Sequence, residues 1–251
     1  MRVPRCYLDH PLAVGREVDL DERAHRHVVQ VLRLRTGAPL ILFNGDGAEY
    51  TATLIQAERR ASAARIEARV PRDTRPTLPV TLAQGIAKGD RMDYGLQKAT
   101  ELGVSRIQPV ITRRTVGGDD ERRLDKRMAH WRGVIISACE QCGRNDIPEL
   151  LPPMPLTHWL GAYRSGPGAE EQALGLVLDP RATHGLTGIR NRPASIHLLI
   201  GPEGGLEENE IGQAVHEGMT PVRLGPRILR TETAGVAALA VIQALWGDLG
   251  D

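Results

Sequence analysis

The chain has 251 residues, enough for one large domain or two modest ones, with 32 lysines and arginines against 31 aspartates and glutamates. Ordinary apolar and charged fractions place it among soluble globular proteins, and a net charge of +1 does not announce a nucleic-acid binder. The opening MRVPRCYLDH has no apolar signal core, no run is long enough to cross a bilayer, and Cys6, Cys139 and Cys142 are too few for a disulfide framework, so a reducing cytoplasm is expected.

The first seventy or so residues read as short strands. REVDL, APLILFN and EYTATLIQA alternate in part, and NGDG (Asn44 to Gly47) is a tight turn between the last two. DERAHRHVVQVLRLRTG predicts a short helix closed by Gly37, with His25 and His27 near its start as surface or capping residues. ARVPRDTRPTLP then gathers Pro71, Pro76 and Pro79 in a charged span that reads as a linker, placing a boundary between residues 1–73 and 74–251.

Beyond it the pattern changes. LPVTLAQGI and SRIQPVI are strands around a helix, GDRMDYGLQKATELG, and a long helix follows from about Asp119 to Gln141. ALGLVLD, SIHLLIG and PVRLG are further strands, with helices LEENEIGQAVHEG and TETAGVAALAVIQALWG after the last two. Strands alternating with helices predict an α/β fold with a parallel sheet buried on both faces.

ACEQCGRN carries a C-x-x-C spacing that invites a metal or redox reading. On the long helix, however, Trp131, Val134, Ile135, Ala138, Cys139 and Cys142 fall on one apolar face, where cysteine acts as a small hydrophobe. No second ligand pair completes a zinc site, so no metal is expected, and a redox pair would start a helix rather than end one. Gly143 is the expected helix stop, and Arg144 just past it either reaches into a cleft or neutralises the helix end.

Two glycine loops follow strands. LLIGPEGGLEENEI runs from a strand through Gly201, Pro202, Glu203, Gly204 and Gly205 into a helix, the position at which open α/β sheets bind ligands. It has neither the Lys and Ser/Thr of a P-loop nor a dinucleotide fingerprint, and Glu203 would repel a phosphate. The second loop, VRLGPRILRTETAGVAAL, has Gly225 and Pro226 at a strand end, Arg227 and Arg230 in a connector, and Thr231 or Thr233 as helix cap.

Together ACEQCGR, LLIGPEGGL and LGPRILRTETA resemble the RsmE family of 16S rRNA N3-uridine methyltransferases, within the SPOUT superfamily. MRVPRCYL, HVVQVLRLRTG, FNGDG and GIAKGDRMDYGLQKATELGV extend the resemblance in order along almost the whole chain. It implies a small PUA-like β-barrel followed by a SPOUT domain with a deep trefoil knot near its C-terminus. It also implies a homodimer that binds S-adenosylmethionine (SAM) and methylates N3 of a decoding-region uridine in 16S rRNA, within the small ribosomal subunit. By the same resemblance SAM is held by Leu178, Ile200, Gly201, Pro202, Glu203, Gly204, Leu224, Gly225, Pro226, Ile228, Leu229 and Thr233.

The chemistry needs no metal. Loss of the N3 proton puts negative charge on the flanking carbonyl oxygens, a task for the guanidinium of Arg144, taken first, or of Arg230. Glu203 orders its loop, balances the sulfonium or helps take the proton. Arg2, Arg5, Arg26, Arg33 and Arg35 are candidate phosphate contacts in the first domain. Three rivals remain: a nucleotide-dependent oxidoreductase, a non-catalytic RNA-binding protein, and a relative acting on another RNA base.

Overall fold

The computed structural model describes residues 3–115, 121–165, 173–189 and 192–250, so Arg2 and Asp119 lie outside the described residues. The chain forms two compact units, one comprising the chain up to Arg75 with Ile136–Ile147, the other Pro76–Ile135 with the chain from Pro148 onward.

The first unit is built on a five-stranded sheet. Its strands are β1 (Arg5–Tyr7), β2 (Glu17–Asp19), β3 (Pro39–Phe43), β4 (Ala48–Ala57) and β5 (Ser62–Pro71), in the order β1-β3-β4-β5-β2. Only the β1–β3 pairing is parallel. One face covers a core that includes Cys6, Leu8, Leu40, Leu42, Leu54 and Ile66. The NGDG segment turns the chain between β3 and β4, with Gly45 and Gly47 at φ 91° and 82° and Asn44 and Asp46 accepting backbone N–H bonds two residues on. β5 occupies the start of the expected linker: its last residue, Pro71, pairs with Ala48. Because β2 covers only Ala63–Arg65, the missing N–H of Pro71 interrupts no second ladder.

Asp21 starts the short helix α1 (Glu22–His25), its carboxylate accepting from Ala24 N at 2.7 Å. The helix widens into a π-helical turn over Arg26–Val31 and stops well before Gly37. Arg33 takes the left-handed conformation, φ 54°, which lets Leu34 N reach Val28 O at 3.0 Å and close the end. His25, the last residue of α1, is buried rather than on the surface; its Nδ1 lies 2.9 Å from Ser62 Oγ.

The second unit is a seven-stranded sheet in which every pairing is parallel. Its strands are β6 (Val80–Gly85), β7 (Arg106–Ile111), β8 (Glu149–Leu150), β9 (Met154–Pro155), β10 (Ala173–Leu178), β11 (Ser195–Ile200) and β12 (Thr220–Val222), ordered β12-β10-β11-β6-β7-β8 with β9 also on β7. Its helices are α2 (Asp90–Glu101), α4 (Leu156–Ser165), α5 (Glu208–His216) and α6 (Thr231–Trp246), and α3 (Glu121–Cys142) belongs to it as far as Ile135. The strands read as near-continuous apolar runs because both faces are covered. Helix α4 was not foreseen; it buries Leu156, Trp159 and Leu160 against Val177 and Leu199. Among the described residues, no helix is long and apolar enough to cross a membrane.

Helix α3 buries Trp131, Ile135, Ala138 and Cys139 as the apolar face requires, and Gly143 at φ 95° ends it. Burial pushes the Cys139 thiol up to about 12, which suits a packed hydrophobe and not a redox or metal-binding thiolate.

Candidate active site

The register of the parallel sheet sets four loops side by side. Val222 pairs with Leu178, Val177 with Leu199, and Ile200 with Gln84, so β12, β10, β11 and β6 end at nearly the same level. The chain reverses here: β11 lies inside β10, whereas β12 returns outside it. Such a reversal leaves a crevice at the carboxyl ends of the strands. It holds a cavity of about 920 Å³, within the size range of small-molecule sites.

The floor of the cavity is main chain. After β11 the loop folds back, with Gly205 N donating to Pro202 O at 2.8 Å and Gly205 at φ 72°. A Cβ on Gly201 would lie 2.8 Å from Gly205 C and Leu206 N, and one on Gly85 would lie 2.5 Å from Pro202 N. Neither position admits a side chain without moving backbone. Below the loop, the buried amide of Gln84 donates to Gly85 O at 3.0 Å and Thr231 Oγ1 at 3.1 Å, while Thr231 Oγ1 donates to Gly201 O at 2.6 Å. One amide and one hydroxyl thus join β6, the first glycine loop and the start of α6. Neither expected cap on α6 acts as one: Thr231 is turned to Gly201 and Thr233 is exposed.

Charges around the rim are mostly paired. Glu203 Oε1 accepts from Lys88 N at 2.8 Å and from Arg91 Nη1 at 3.1 Å. Burial works to raise its pKa, but the Lys88 and Glu203 N–H groups and then Arg91 outweigh that, so the carboxyl is held below its ordinary value. Arg114 donates to Gly204 O at 2.6 Å and faces Glu207 at 3.7 Å. Arg181 bridges Asp179 and Glu208. Glu210, buried, completes a capping box with Glu207 and accepts from Arg113 N at 2.8 Å, tying the loop to the chain after β7.

Two family models match the chain: one described as an RNA methyltransferase domain over residues 74–243, the other as an RNA methyltransferase PUA domain over residues 20–67. A ribosomal RNA small subunit methyltransferase E from Buchnera aphidicola (subsp. Schizaphis graminum) is 31% identical over 248 residues, which are 99% of this chain and 98% of that one. The chain belongs to the ribosomal RNA small subunit methyltransferase E family. A member from Neisseria gonorrhoeae, solved bound to SAM, is 42% identical with a TM-score of 0.88, covering 98% of this chain and 99% of its own. A Legionella pneumophila protein solved with bound SAM is 39% identical with a TM-score of 0.93, covering 99% of this chain and 100% of its own. The fold is that of a SPOUT methyltransferase preceded by a PUA domain.

In this family member, Leu178, Ile200, Gly201, Pro202, Glu203, Gly204, Leu224, Gly225, Ile228, Leu229 and Arg230 all line the cavity, while Pro226 and Thr233 do not. Arg144 is not among the lining residues. It is buried in the first unit, its Nη2 2.5 Å from Asp146 Oδ2, and its carbonyl accepts from Arg5 Nη2 at 3.0 Å. Arg5 is buried too, ion-paired with Glu49 and stacked over Phe43, so its guanidinium is engaged inside the unit and unavailable to a phosphate. Arg26, Arg33 and Arg35 are exposed, with no ion-pair partner among the described residues. Sequence reasoning missed Gln84, although a polar residue near the end of an otherwise apolar strand was a usable signal. It also missed Glu232, which lines the cavity.

Proposed function

We propose that this chain transfers the methyl group of SAM to N3 of a decoding-region uridine in 16S rRNA, acting as a homodimer on the small ribosomal subunit. The observation that carries the reading is the cavity at the reversal point, floored by main chain at Gly201, in a chain akin to family members solved with SAM. The residues fit such a donor. Bare backbone suits an adenosine, and the rim around Glu203 is no phosphate cradle. Bound SAM supplies a methyl carbon made electrophilic by its sulfonium.

The chain supplies placement and charge. Apolar walls from Ile200, Leu178, Leu224 and Leu229 exclude water, and Gln84 and Thr231 hold the loop in shape. Arg230, on the cavity wall with no ion-pair partner among the described residues, takes the oxyanion-stabilising role in preference to Arg144, whose guanidinium is engaged by Asp146. Glu203 orders its loop through Lys88 and Arg91. The first unit docks RNA through Arg26, Arg33 and Arg35, and the C-terminal segment is read as knotted.

The deciding experiment is methyl transfer from labelled SAM to small subunits lacking the modification, followed by nucleoside analysis. N3-methyluridine is the expected product; another methylated nucleoside, or none, refutes the reading.

A further inference from the structure

Five carboxylates surround the cavity: Asp179, Glu203, Glu207, Glu208 and Glu232. Four are engaged. Asp179 and Glu208 share Arg181, Glu203 has Lys88 N and Arg91, and Glu207 has the capping box and Arg114. Glu232, in the first turn of α6, has no hydrogen-bond or ion-pair partner among the described residues, although its Oε2 is shut off from solvent. A carboxylate oxygen withdrawn from water without a partner is costly, and on a residue that lines a cavity a ligand entering that cavity can complete it.

The same short segment also presents Arg223, Arg227 and Arg230, exposed and without ion-pair partners among the described residues. The other cavity cations, Arg91, Arg114 and Arg181, are occupied by the four engaged carboxylates. The ligand that meets Glu232 therefore meets free guanidinium groups as well. It must offer one polar hydrogen to a carboxylate and bear negative charge for arginines. A uracil losing its N3 proton has both properties: a single N–H flanked by two carbonyl oxygens that take up the charge.

We infer that Glu232 is the general base of the reaction, accepting the N3 proton of the target uracil; the assignment rests on the function proposed above. An electron pair on N3 forms the bond to the methyl carbon as the carbon–sulfur bond breaks, and the carbon–sulfur bonding pair leaves with sulfur as a neutral thioether. The proton passes to the Glu232 carboxylate and afterwards to water. Proton removal and methyl transfer overlap: the N–H bonding pair becomes the pair that N3 gives to carbon. The charge it places meanwhile on the carbonyl oxygens is held by the guanidinium groups, which makes the N3 proton acidic enough for a carboxylate to take.

Glu232→Gln keeps the shape and removes the base. Calorimetric titration should give SAM affinity within about threefold of wild type, and thermal unfolding should show no loss of stability. Methyl transfer to small subunits should fall by roughly 10²-fold or more, the usual contribution of a positioned base. The residual rate should climb with pH where the wild type is flat, since the variant depends on uracil ionised in solution. Small subunits reconstituted with 5-fluorouridine, whose N3 proton is more acidic, should recover most of the loss.

Turnover within about threefold of wild type overturns the assignment, as does a pH profile parallel to it. Loss of SAM affinity beyond tenfold overturns it by making Glu232 a donor-holding residue. Those results leave the proposed function standing, whereas wild-type protein that makes no N3-methyluridine brings down both.

Discussion

A single methyl group added at Gly201 tests whether the main-chain floor forms the binding site. The backbone there is not left-handed, so the substitution introduces no conformational strain of its own, only contact. The new Cβ would lie 2.8 Å from both Gly205 C and Leu206 N. Comfortable separation begins at about 3.5 Å, so the returning limb of the loop must move by roughly 0.7 Å. It is pinned by Gly205 N to Pro202 O on one side and by Arg114 to Gly204 O on the other. Overpacking of this kind costs about 1–3 kcal/mol. If the displaced loop is the donor-binding one, Gly201→Ala weakens SAM by about 5- to 150-fold, at about 1.4 kcal/mol per decade. Calorimetric titration measures this directly, and Gly212→Ala provides the control. Gly212 sits in the exposed face of α5 with nothing within 4 Å of a new Cβ, so that change should leave affinity alone and slightly raise the melting point. A folded Gly201→Ala protein with wild-type affinity would refute the placement of the site.

Arg144→Ala should destabilise the first unit by about 1–3 kcal/mol, because it removes the charged partner of half-buried Asp146, whose carboxylate keeps only Thr74 Oγ1 at 3.3 Å among the described residues, yet leave SAM affinity of the folded protein unchanged; loss of affinity without loss of stability would return Arg144 to the cavity. The depressed Glu203 pKa gives a contribution to stability that is complete above the unfolded carboxylate range and is lost as pH falls through the lower folded value. The stability gap between wild type and Glu203→Gln should therefore shrink only in acid below the ordinary carboxylate range, and a gap that vanishes already near neutrality would contradict the Lys88 and Arg91 contacts. Cys6 and Cys139, both pushed up to about 12 mainly by burial, should resist alkylation in folded protein at pH 8 and react only on unfolding; rapid native labelling of Cys139 would revive the reactive-thiol reading.

The parallel sheet was legible because its strands are long apolar runs separated by amphipathic helices, and the glycine loops marked its carboxyl ends. β5 was not, since SAARIEARVP is dominated by alanine and charged residues with weak strand preference; it is held by pairing to β4 along its length. Helix α1 ended early because Arg33 adopted a conformation that local sequence assigns to glycine at position 37. Arg5 and Arg144 illustrate a further limit. An arginine in sequence is charge with unknown partners, and only the fold brought Glu49 and Asp146 beside them. Gln84 and Thr231 lie 147 residues apart, so no local pattern could join them.

The partners of those charges also divide the cavity into two kinds of wall. On the side made by the chain after β6, β7, β10 and β11, each arginine is matched by a carboxylate: Arg91 by Glu203, Arg114 by Glu207, Arg181 by Asp179 and Glu208. Such pairs are worth little as surface salt bridges, but they fix loop geometry and leave no free charge to compete for a ligand. The connector after β12 is the reverse, with Arg223, Arg227, Arg230 and Glu232 unmatched among the described residues within a span of ten residues. A neutralised wall leaves the cofactor to be gripped by backbone and apolar side chains, those of Leu224 and Leu229 included, whereas the unneutralised charges of the connector suit a polyanionic substrate bearing a single acidic hydrogen. The asymmetry predicts a separation in salt response: SAM affinity should be nearly indifferent to ionic strength, whereas RNA affinity should fall steeply with it. Equal salt dependence of the two would mean that the free arginines serve the cofactor after all.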